Sequence, residues 1–249
     1  MIVPKEISLG FTSSDAIVIT GAGRGIGRST AINAAAMGLG VAAWDIDTDY
    51  VIDTVKEIED SGGRAVAVAA DATDLKQIEA GLEASSTLGP LRYLVNNAGP
   101  ASASDYAFDE ALVISAGSMH KVANAWLDRG HLDNAALVNV ASVAGNLIGT
   151  QPDWYPAAKA AIMGWTRHLA AYRSGDVRSN AVAPGMTDTR RLVGFKESEV
   201  GQRALGRIPL GRMATPDEIS WAILFLLSPL ASYVNGILLT VDGGWTITQ

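Results

Sequence analysis

The chain has 249 residues, of which 48% are hydrophobic, so it can bury a sizeable core, and we favour one large domain over two small ones. Its net charge of −7 argues against nucleic acid or an anionic membrane as a partner, because both would require a basic face. The absence of cysteine excludes disulfides, thiol catalysis and thiolate metal sites. The histidines lack metal-ligand spacing, so we expect no metal site, and without a membrane span or signal-peptide core we expect a cytoplasmic protein.

A glycine-rich loop follows the first predicted strand, residues 16–20, and precedes an Ala-rich helix predicted over 28–37. Glycines let the backbone turn sharply and approach a pyrophosphate, while the free N–H groups of a helix N-terminus meet its negative charge. The placement of the loop between a strand and a helix therefore predicts a nucleotide-binding site. The cofactor contacts that we expect in this loop are Gly21, Arg24, Gly25, Ile26 and Gly27.

Asp45 stands at the end of the next predicted strand, 40–44, about 20 residues beyond the glycines. A carboxylate there can accept hydrogen bonds from both hydroxyls of an adenosine ribose and would repel a 2'-phosphate, which favours NAD over NADP. Arg24 favours NADP instead, because an arginine near that ribose can accommodate the phosphate. The alternative for Asp45 is a solvated residue in the acidic turn 45–49, where Asp47 or Thr48 caps the following helix.

Predicted strands and helices continue to alternate, with helices at 48–60 and 74–87 and strands at 65–70 and 91–95. Strands separated by amphipathic helices predict an α/β fold with a doubly wound parallel sheet, in a single domain over 1–249. In the less legible second half, the predicted elements are helices at 108–128, 156–171 and 216–227 and strands at 136–140, 177–182 and 237–241.

Two strand ends carry residues suited to a cofactor, because ligands bind beyond the carboxyl ends of the strands in such sheets. We expect Asp71 and Ala72 to border the adenine. The small and amide residues of Asn97-Ala98-Gly99 would let the backbone lie close to the cofactor. The alternatives are a merely exposed loop at Asp71 and a simple turn at 97–99.

Tyr155 and Lys159 are four residues apart, so a helix places both side chains on one face. An ammonium within roughly 4 to 6 Å favours the phenolate and lowers the tyrosine pKa from its usual value of about 10. Tyr155 then serves as a proton donor and acceptor, and Ser142, just after a strand end, is available to hydrogen-bond the substrate oxygen. The alternative is an Ala-rich helix that carries a tyrosine and a lysine by chance. Trp154 is a candidate for the wall of the substrate pocket, with core burial as its alternative.

Residues 187–206 are charged and mixed in character, and their position after a strand end suits a mobile lid over the site. Two arginines, Arg190 and Arg191, stand in this segment. We interpret them as a solvated charged face rather than as contacts to an anionic substrate.

Taken together, the motifs resemble those of the short-chain dehydrogenase/reductases in order and approximate spacing, over essentially the whole chain. They are Thr20-Gly-x-x-x-Gly25-x-Gly27, Asn96-Asn97-Ala98-Gly99, Ser142, Tyr155-x-x-x-Lys159, Pro184-Gly185 with Thr189, and Val241-Asp242-Gly243-Gly244. The resemblance implies a Rossmann-type fold that carries NAD(H) or NADP(H). It also implies tetramers or dimers formed through the helices at 105–128 and 155–172.

By the same likeness, Tyr155 is the general acid/base, Lys159 lowers its pKa and holds the nicotinamide ribose, and Ser142 orients the substrate carbonyl or alcohol. The hydride chemistry belongs to the cofactor, and the protein supplies position and proton transfer. Further cofactor contacts implied by the family are Asn97, Pro184, Gly185, Thr187 and Thr189.

One departure from the family pattern concerns its catalytic asparagine, whose position here is Ile114. No asparagine occurs between Asn97 and Asn124. Either the proton relay through that helix is rebuilt, with Ser115 and water as one option, or activity is reduced.

The function that we expect is NAD-dependent interconversion of a small-molecule secondary alcohol and a ketone. Two alternatives stay open: a non-catalytic, NAD-binding regulatory protein, motivated by the missing asparagine, and non-redox lyase-type chemistry on the same fold.

Overall fold

A seven-stranded parallel sheet forms the centre of the fold in the computed structural model, which describes residues 8–130, 132–146, 148, 150–192, 194 and 197–248. The strand order is β3-β2-β1-β4-β5-β6-β7, and every neighbouring pair is parallel. The strands are β1 (Ala16–Thr20), β2 (Gly40–Asp45), β3 (Arg64–Ala69), β4 (Leu91–Asn96), β5 (Ala136–Val140), β6 (Arg178–Pro184) and β7 (Leu238–Val241).

Helices cover both faces of this sheet. They are α1 (Gly25–Ala36), α2 (Thr48–Asp60), α3 (Leu75–Ser85), α4 (Phe108–Leu112), α5 (Ser118–Leu127), α6 (Val143–Asn146), α7 (Trp154–Tyr172), α8 (Glu199–Leu205) and α9 (Pro216–Leu227). One core cluster joins the sheet to α1, α2 and α9, and a second joins it to α3, α5 and α7. The α/β fold class and the doubly wound parallel sheet predicted from the alternation are therefore confirmed.

The central strands read as continuous apolar runs because both of their faces are covered. Along β1, Ile17 and Ile19 enter the first cluster, whereas Ala16 and Val18 enter the second. All five residues of β1 are buried, and so are all five of β5. This burial fixes the register of the strands whose carboxyl ends carry the predicted site residues.

Several predicted boundaries differ from the observed ones, and the largest difference lies in the helix predicted over 108–128. A π-helical segment, Val113–Gly117, separates α4 from α5. A short helix, α6, follows Ser142 and was absent from the prediction, and α8 lies inside the predicted lid at 187–206. Lid positions 193, 195 and 196 lie outside the described residues. Periodicity cannot mark such segments, because each is too short to show one.

None of the described helices is both long and apolar enough to cross a membrane. The longest, α7, has 19 residues, and its exposed positions include Arg167 and His168. Two of its buried residues, Ile162 and Met163, pack in a third apolar cluster with Ala181 of β6.

A capping box begins α9. Thr215 Oγ1 accepts a hydrogen bond from the Glu218 N–H at 3.3 Å, and Glu218 Oε2 accepts one from the Thr215 N–H at 2.8 Å. Both carboxylate oxygens of Glu218 also accept hydrogen bonds from Arg212 at 2.7 Å. These bonds lower the pKa of Glu218 from 4.5 to about 2, and the Arg212 bond is the largest cause.

The lowered pKa of Glu218 predicts an acid-dependent loss of stability. A carboxyl group whose pKa is depressed in the folded state stabilises the fold above its unfolded pKa and stops doing so as the pH falls towards the folded value. Replacing Glu218 by Gln should therefore lower the free energy of unfolding at about pH 6 and matter progressively less towards about pH 3. Denaturant titrations of Glu218→Gln at several pH values, with the exposed Glu59→Gln as the control, check this; a pH-independent difference contradicts it.

Candidate active site

Tyr155 and Lys159 lie on the first two turns of α7. The lysine Nζ is 5.7 Å from the centroid of the tyrosine ring, so the two side chains share a face of the helix. Lys159 is buried, at 7% exposure, whereas Tyr155 is only half-buried. The structure thus brings together the pair that the four-residue spacing predicts.

A hydrogen bond from the lysine ties α7 to the end of β5. Lys159 Nζ donates to the carbonyl oxygen of Val140, the last residue of that strand, at 3.0 Å. Ser142 follows two residues later and is 9% exposed, and its Oγ accepts a hydrogen bond from the Ala144 N–H at 3.2 Å. The segment that carries the serine is therefore held against the helix that carries Tyr155 and Lys159.

Gly145 makes this close approach of the two segments sterically feasible. A Cβ atom at this position would lie 2.6 Å from the Lys159 carbonyl carbon and 2.7 Å from the Ala160 nitrogen, distances that real Cβ atoms do not show. The sequence analysis assigned Gly145 no role. The available signal was a glycine three residues after the candidate serine.

Trp154 packs beside the tyrosine. Its ring meets the Tyr155 ring edge-on, with 5.5 Å between centroids, and it is 2% exposed. Its indole N–H has no hydrogen-bond partner among the described residues. Trp154 thus supports the ring of Tyr155, and its contact with a substrate stays a prediction.

The glycine loop between β1 and α1 has a shape that only glycine permits. Gly21 and Gly25 have φ angles of +67° and +57°, and a Cβ at Gly27 would overlap the Gly21 carbonyl oxygen. Among the described residues, Arg24 at the N-cap of α1 makes no side-chain capping hydrogen bond. The N–H groups of this helix N-terminus, which includes Ile26, are of the kind that meets an anion, and their binding of a pyrophosphate stays a prediction.

Asn97 supports the glycine loop from the neighbouring strand end. Its Nδ2 donates to the carbonyl oxygens of Thr20 at 3.1 Å and Gly21 at 3.0 Å. In return, the N–H groups of Asn97 and Ala98 donate to Thr20 Oγ1 at 3.0 Å each. Thr20 was quoted within the sequence motif without a role, and the structure shows that its hydroxyl joins β1 to the turn after β4.

The Asp45 carboxylate is oriented by two backbone N–H groups. Oδ2 accepts a hydrogen bond from Gly23 at 2.9 Å, and Oδ1 accepts one from Asp47 at 3.1 Å. Asp47, not Thr48, caps α2 by accepting from the Tyr50 N–H at 3.2 Å. Asp45 is half-buried next to the glycine loop, so the structure places it where the ribose contact was predicted.

Asp71 is engaged in its own turn, because its Oδ1 accepts from both the N–H and the hydroxyl of Thr73 at 2.8 Å. Ala72 packs at the edge of the second core cluster. Asp71 is half-buried, so it is not the merely exposed loop residue of the alternative, and its position bordering the adenine stays a prediction.

The chain after β6 returns to the glycine loop. Gly185 packs against Asp242, where a Cβ would approach the Asp242 Cα to 2.8 Å. Thr187 forms a bridge with Ala214, and the methyl group of Thr189 lies 3.4 Å from where a Cβ of Gly25 would stand. Pro184, which ends β6, thus directs a segment across the N-terminus of α1.

The π-helical segment occupies the position of the missing asparagine. Ile114 is half-buried, Ser115 is 1% exposed, and the Ser115 carbonyl oxygen accepts a hydrogen bond from the Ser118 hydroxyl at 2.9 Å. A Cβ at Gly99 would lie 3.9 Å from Ser115 Oγ. A π-bulge is frequent at functional sites, and the rebuilt relay through Ser115 stays a prediction.

These segments lie beyond the carboxyl ends of strands β1 to β6, which meet at one edge of the parallel sheet. In the part of the chain that the structure describes, no three acidic or histidine side chains are grouped to hold a metal ion. The arrangement offers an anion-binding helix N-terminus beside a tyrosine, lysine and serine suited to proton transfer.

Comparison with known proteins relates this site to dehydrogenases. A family model described as enoyl-(acyl carrier protein) reductase matches residues 21–246. A 2-(S)-hydroxypropyl-CoM dehydrogenase 3 of Xanthobacter autotrophicus is 38% identical in an alignment of 249 residues, gaps included. The match covers 94% of this chain and 97% of the relative.

Two solved structures show the same fold. A putative NAD(P)-dependent gluconate 5-dehydrogenase from Beutenbergia cavernae with bound NADP at low occupancy is 35% identical, with a TM-score of 0.84 over 96% of this chain and 99% of that one. A 7α-hydroxysteroid dehydrogenase complexed with NADH and 7-oxo glycochenodeoxycholic acid is 30% identical, with a TM-score of 0.87 over 98% of both chains.

The close packing at Gly145 generates a stability prediction with a control on the same helix. Gly145→Ala should lower the free energy of unfolding by about 1–3 kcal/mol, because the new methyl group overlaps the backbone of α7. Gly164→Ala, at an exposed position of α7 with no atom within 4 Å of the new Cβ, should instead stabilise by about 0.5–1 kcal/mol. Denaturant unfolding measures both, and equal stabilities of the two variants would contradict the packing argument.

Proposed function

The chain belongs to the short-chain dehydrogenase/reductase family and is an oxidoreductase of the dehydrogenase class, and on that premise we propose that it interconverts a secondary alcohol and a ketone with NAD. The observation that supports this most directly is the position of buried Lys159 between the Tyr155 ring and the end of β5. It gives the Tyr155 ring a cationic neighbour, which supports a role for this tyrosine in proton transfer.

The residues present fit a dinucleotide. The positive φ angles at Gly21 and Gly25 and the uncapped N-terminus of α1 suit a pyrophosphate, and the orientation of Asp45 suits an adenosine ribose. When bound, the nicotinamide supplies the acceptor or donor of the hydride. Asn97 and Thr20 hold the loop in the shape that such a ligand requires.

In the proposed oxidation, Tyr155 accepts the proton of the substrate hydroxyl while the hydride leaves the carbinol carbon. Ser142 donates a hydrogen bond to the same substrate oxygen and holds it facing the tyrosine. Lys159 stabilises the phenolate form of Tyr155 that receives the proton, and it contributes to holding the nicotinamide ribose. In the reduction the protonated tyrosine returns the proton to the oxygen of the ketone.

The preference for NAD rests on Asp45, whose carboxylate disfavours a 2'-phosphate. Arg24 next to Gly23 works in the opposite direction, and the related structures named above contain NADP in one case and NADH in the other. We place Asp45 first because the glycine loop itself orients its carboxylate.

The substrate is proposed as a small or medium secondary alcohol. The relatives are named for 2-(S)-hydroxypropyl-CoM, gluconate and a 7α-hydroxysteroid, each of which carries a secondary hydroxyl group. The site residues Ser142 and Tyr155 address that carbinol alone, which is consistent with the variety.

For the assembly we propose a homotetramer or homodimer through the helices at 105–128 and 155–172. Exposed apolar side chains on this surface support it, since Phe108 is 47% and Val113 is 54% exposed. A cytoplasmic location is part of the same proposal.

The proposed reaction predicts reduction of NAD in the presence of a secondary alcohol. A panel of secondary alcohols, cyclic diols and hydroxy acids, followed at the absorbance of reduced nicotinamide, should give signal with the native chain. Tyr155→Phe should reduce turnover by more than about 100-fold, because general acid–base catalysis supplies this much, while cofactor binding is retained. NAD binding without turnover on the whole panel would favour the regulatory alternative, and substrate consumption without NADH formation would favour the lyase alternative.

The role of Asp45 predicts a change in cofactor preference. Asp45→Ala should lower the ratio of kcat/KM for NAD to that for NADP by about 10-fold or more, because the two hydrogen bonds that the charged carboxylate would accept from the ribose hydroxyls are lost. Asp47→Ala is a control that removes a neighbouring carboxylate, the cap of α2, without the predicted ribose contact. An unchanged ratio in Asp45→Ala shows that Asp45 does not read the ribose.

A further inference from the structure

The first residues of the lid are held in place by the body of the fold. The Asp188 N–H donates to the Ala214 carbonyl oxygen at 2.8 Å, and the Ala214 N–H donates to the Met186 carbonyl oxygen at 2.9 Å. A 3-10 turn follows directly at Arg190–Leu192, closed by a hydrogen bond from the Leu192 N–H to the Thr189 carbonyl oxygen. Arg190 therefore projects from an anchored turn.

Arg190 contacts a tyrosine on α2, beside the predicted cofactor cleft. Its guanidinium carbon is 5.7 Å from the centroid of the Tyr50 ring, and its Nη1 is 3.4 Å from the Tyr50 hydroxyl. Tyr50 lies in the first turn of α2, beside the ribose-binding position, because a Cβ at Gly23 would touch both Tyr50 and Asp45. Arg190 is exposed, as its interpretation as part of a solvated charged face expects, and it contacts Tyr50 as well. The side chain of Arg191 lies outside the described part of the structure.

A second guanidinium group converges on the same ring. Arg24, in the glycine loop, has its guanidinium carbon 5.2 Å from the centroid of the Tyr50 ring. Three segments distant in sequence therefore meet at one phenol: the glycine loop, α2 and the start of the lid. We call Arg24, Tyr50 and Arg190 the clasp.

The charges of the clasp indicate the ligand that it suits. Each cation gains from the face of the tyrosine ring, but the two cations repel one another, and an anion beside them offsets that repulsion. The N-terminus of α1, which starts next to Arg24, is the predicted position of a diphosphate. By linkage, an anion that stabilises the clasp is itself bound more tightly by the closed clasp.

We propose that Arg190 and Tyr50 are cofactor-retaining residues, which fasten the start of the lid over the adenosine diphosphate half of the bound dinucleotide. The inference rests on the proposed function for the presence of a dinucleotide. The inference goes beyond the proposed function because it assigns the lid, through Arg190, to cofactor retention rather than to substrate recognition. The charge of the diphosphate, not the nucleoside, is what the clasp recognises.

The test compares ADP with adenosine as competitors of NADH, followed by the fluorescence of the bound reduced nicotinamide. In Arg190→Ala the dissociation constant of ADP should rise about two- to five-fold, the size expected for an exposed cation–π contact, while that of adenosine stays unchanged. Tyr50→Leu should produce a similar loss, and the double variant should lose little more than either single variant.

Arg203→Ala is the matched control, because this arginine is also exposed in the lid and contacts only its own helix in the described structure, through the Glu199 carbonyl oxygen. Equal ADP affinity in the native chain and Arg190→Ala would overturn the inference, and so would an equal loss for ADP and adenosine or an equal loss in Arg203→Ala. Those results leave the dehydrogenase proposal standing. A native chain that binds neither NADH nor ADP overturns the proposed function as well.

Discussion

The buried ammonium group of Lys159 is the constraint on which the arrangement of the site depends. A charge at 7% exposure is costly unless polar groups surround it. Its hydrogen bond to the Val140 carbonyl oxygen meets that need and at the same time joins α7 to the end of β5. This link sets the positions of the Tyr155 phenol and the Ser142 hydroxyl. Gly145 permits the link because it leaves room for the backbone of α7.

Hydrogen bonds also hold the glycine loop, the segment proposed to contact the cofactor through its backbone. The glycine loop approaches β4 so closely that Asn97 and Thr20 exchange hydrogen bonds across the gap. Such bonds satisfy groups that a tight turn leaves unpaired. A loop held by such bonds has less conformational freedom to lose on binding, which suits the proposed dinucleotide site.

Electrostatics distinguish this edge of the sheet from the rest of the molecule. The chain carries a net charge of −7, which by itself disfavours an anionic dinucleotide. Arg24 and Arg190 concentrate positive charge at the Tyr50 ring, and the N-terminus of α1 adds its dipole. Asp45 adds a negative charge within the same region, so the proposed attraction to the diphosphate and the proposed rejection of a 2'-phosphate arise from neighbouring side chains.

The sequence by itself determined the sheet and its helices, because alternating apolar strands and amphipathic helices are local patterns, and it determined the residue types at the strand ends. It also located Tyr155, Lys159 and the glycine loop, because the spacing of the pair and the pattern of glycines are local features of the chain. Only the tertiary structure decided the partners: Val140 for Lys159, Thr20 for Asn97 and Tyr50 for Arg190. These contacts join residues between 19 and 140 positions apart, and spacing along a chain carries no information about which segments the order of the strands brings together.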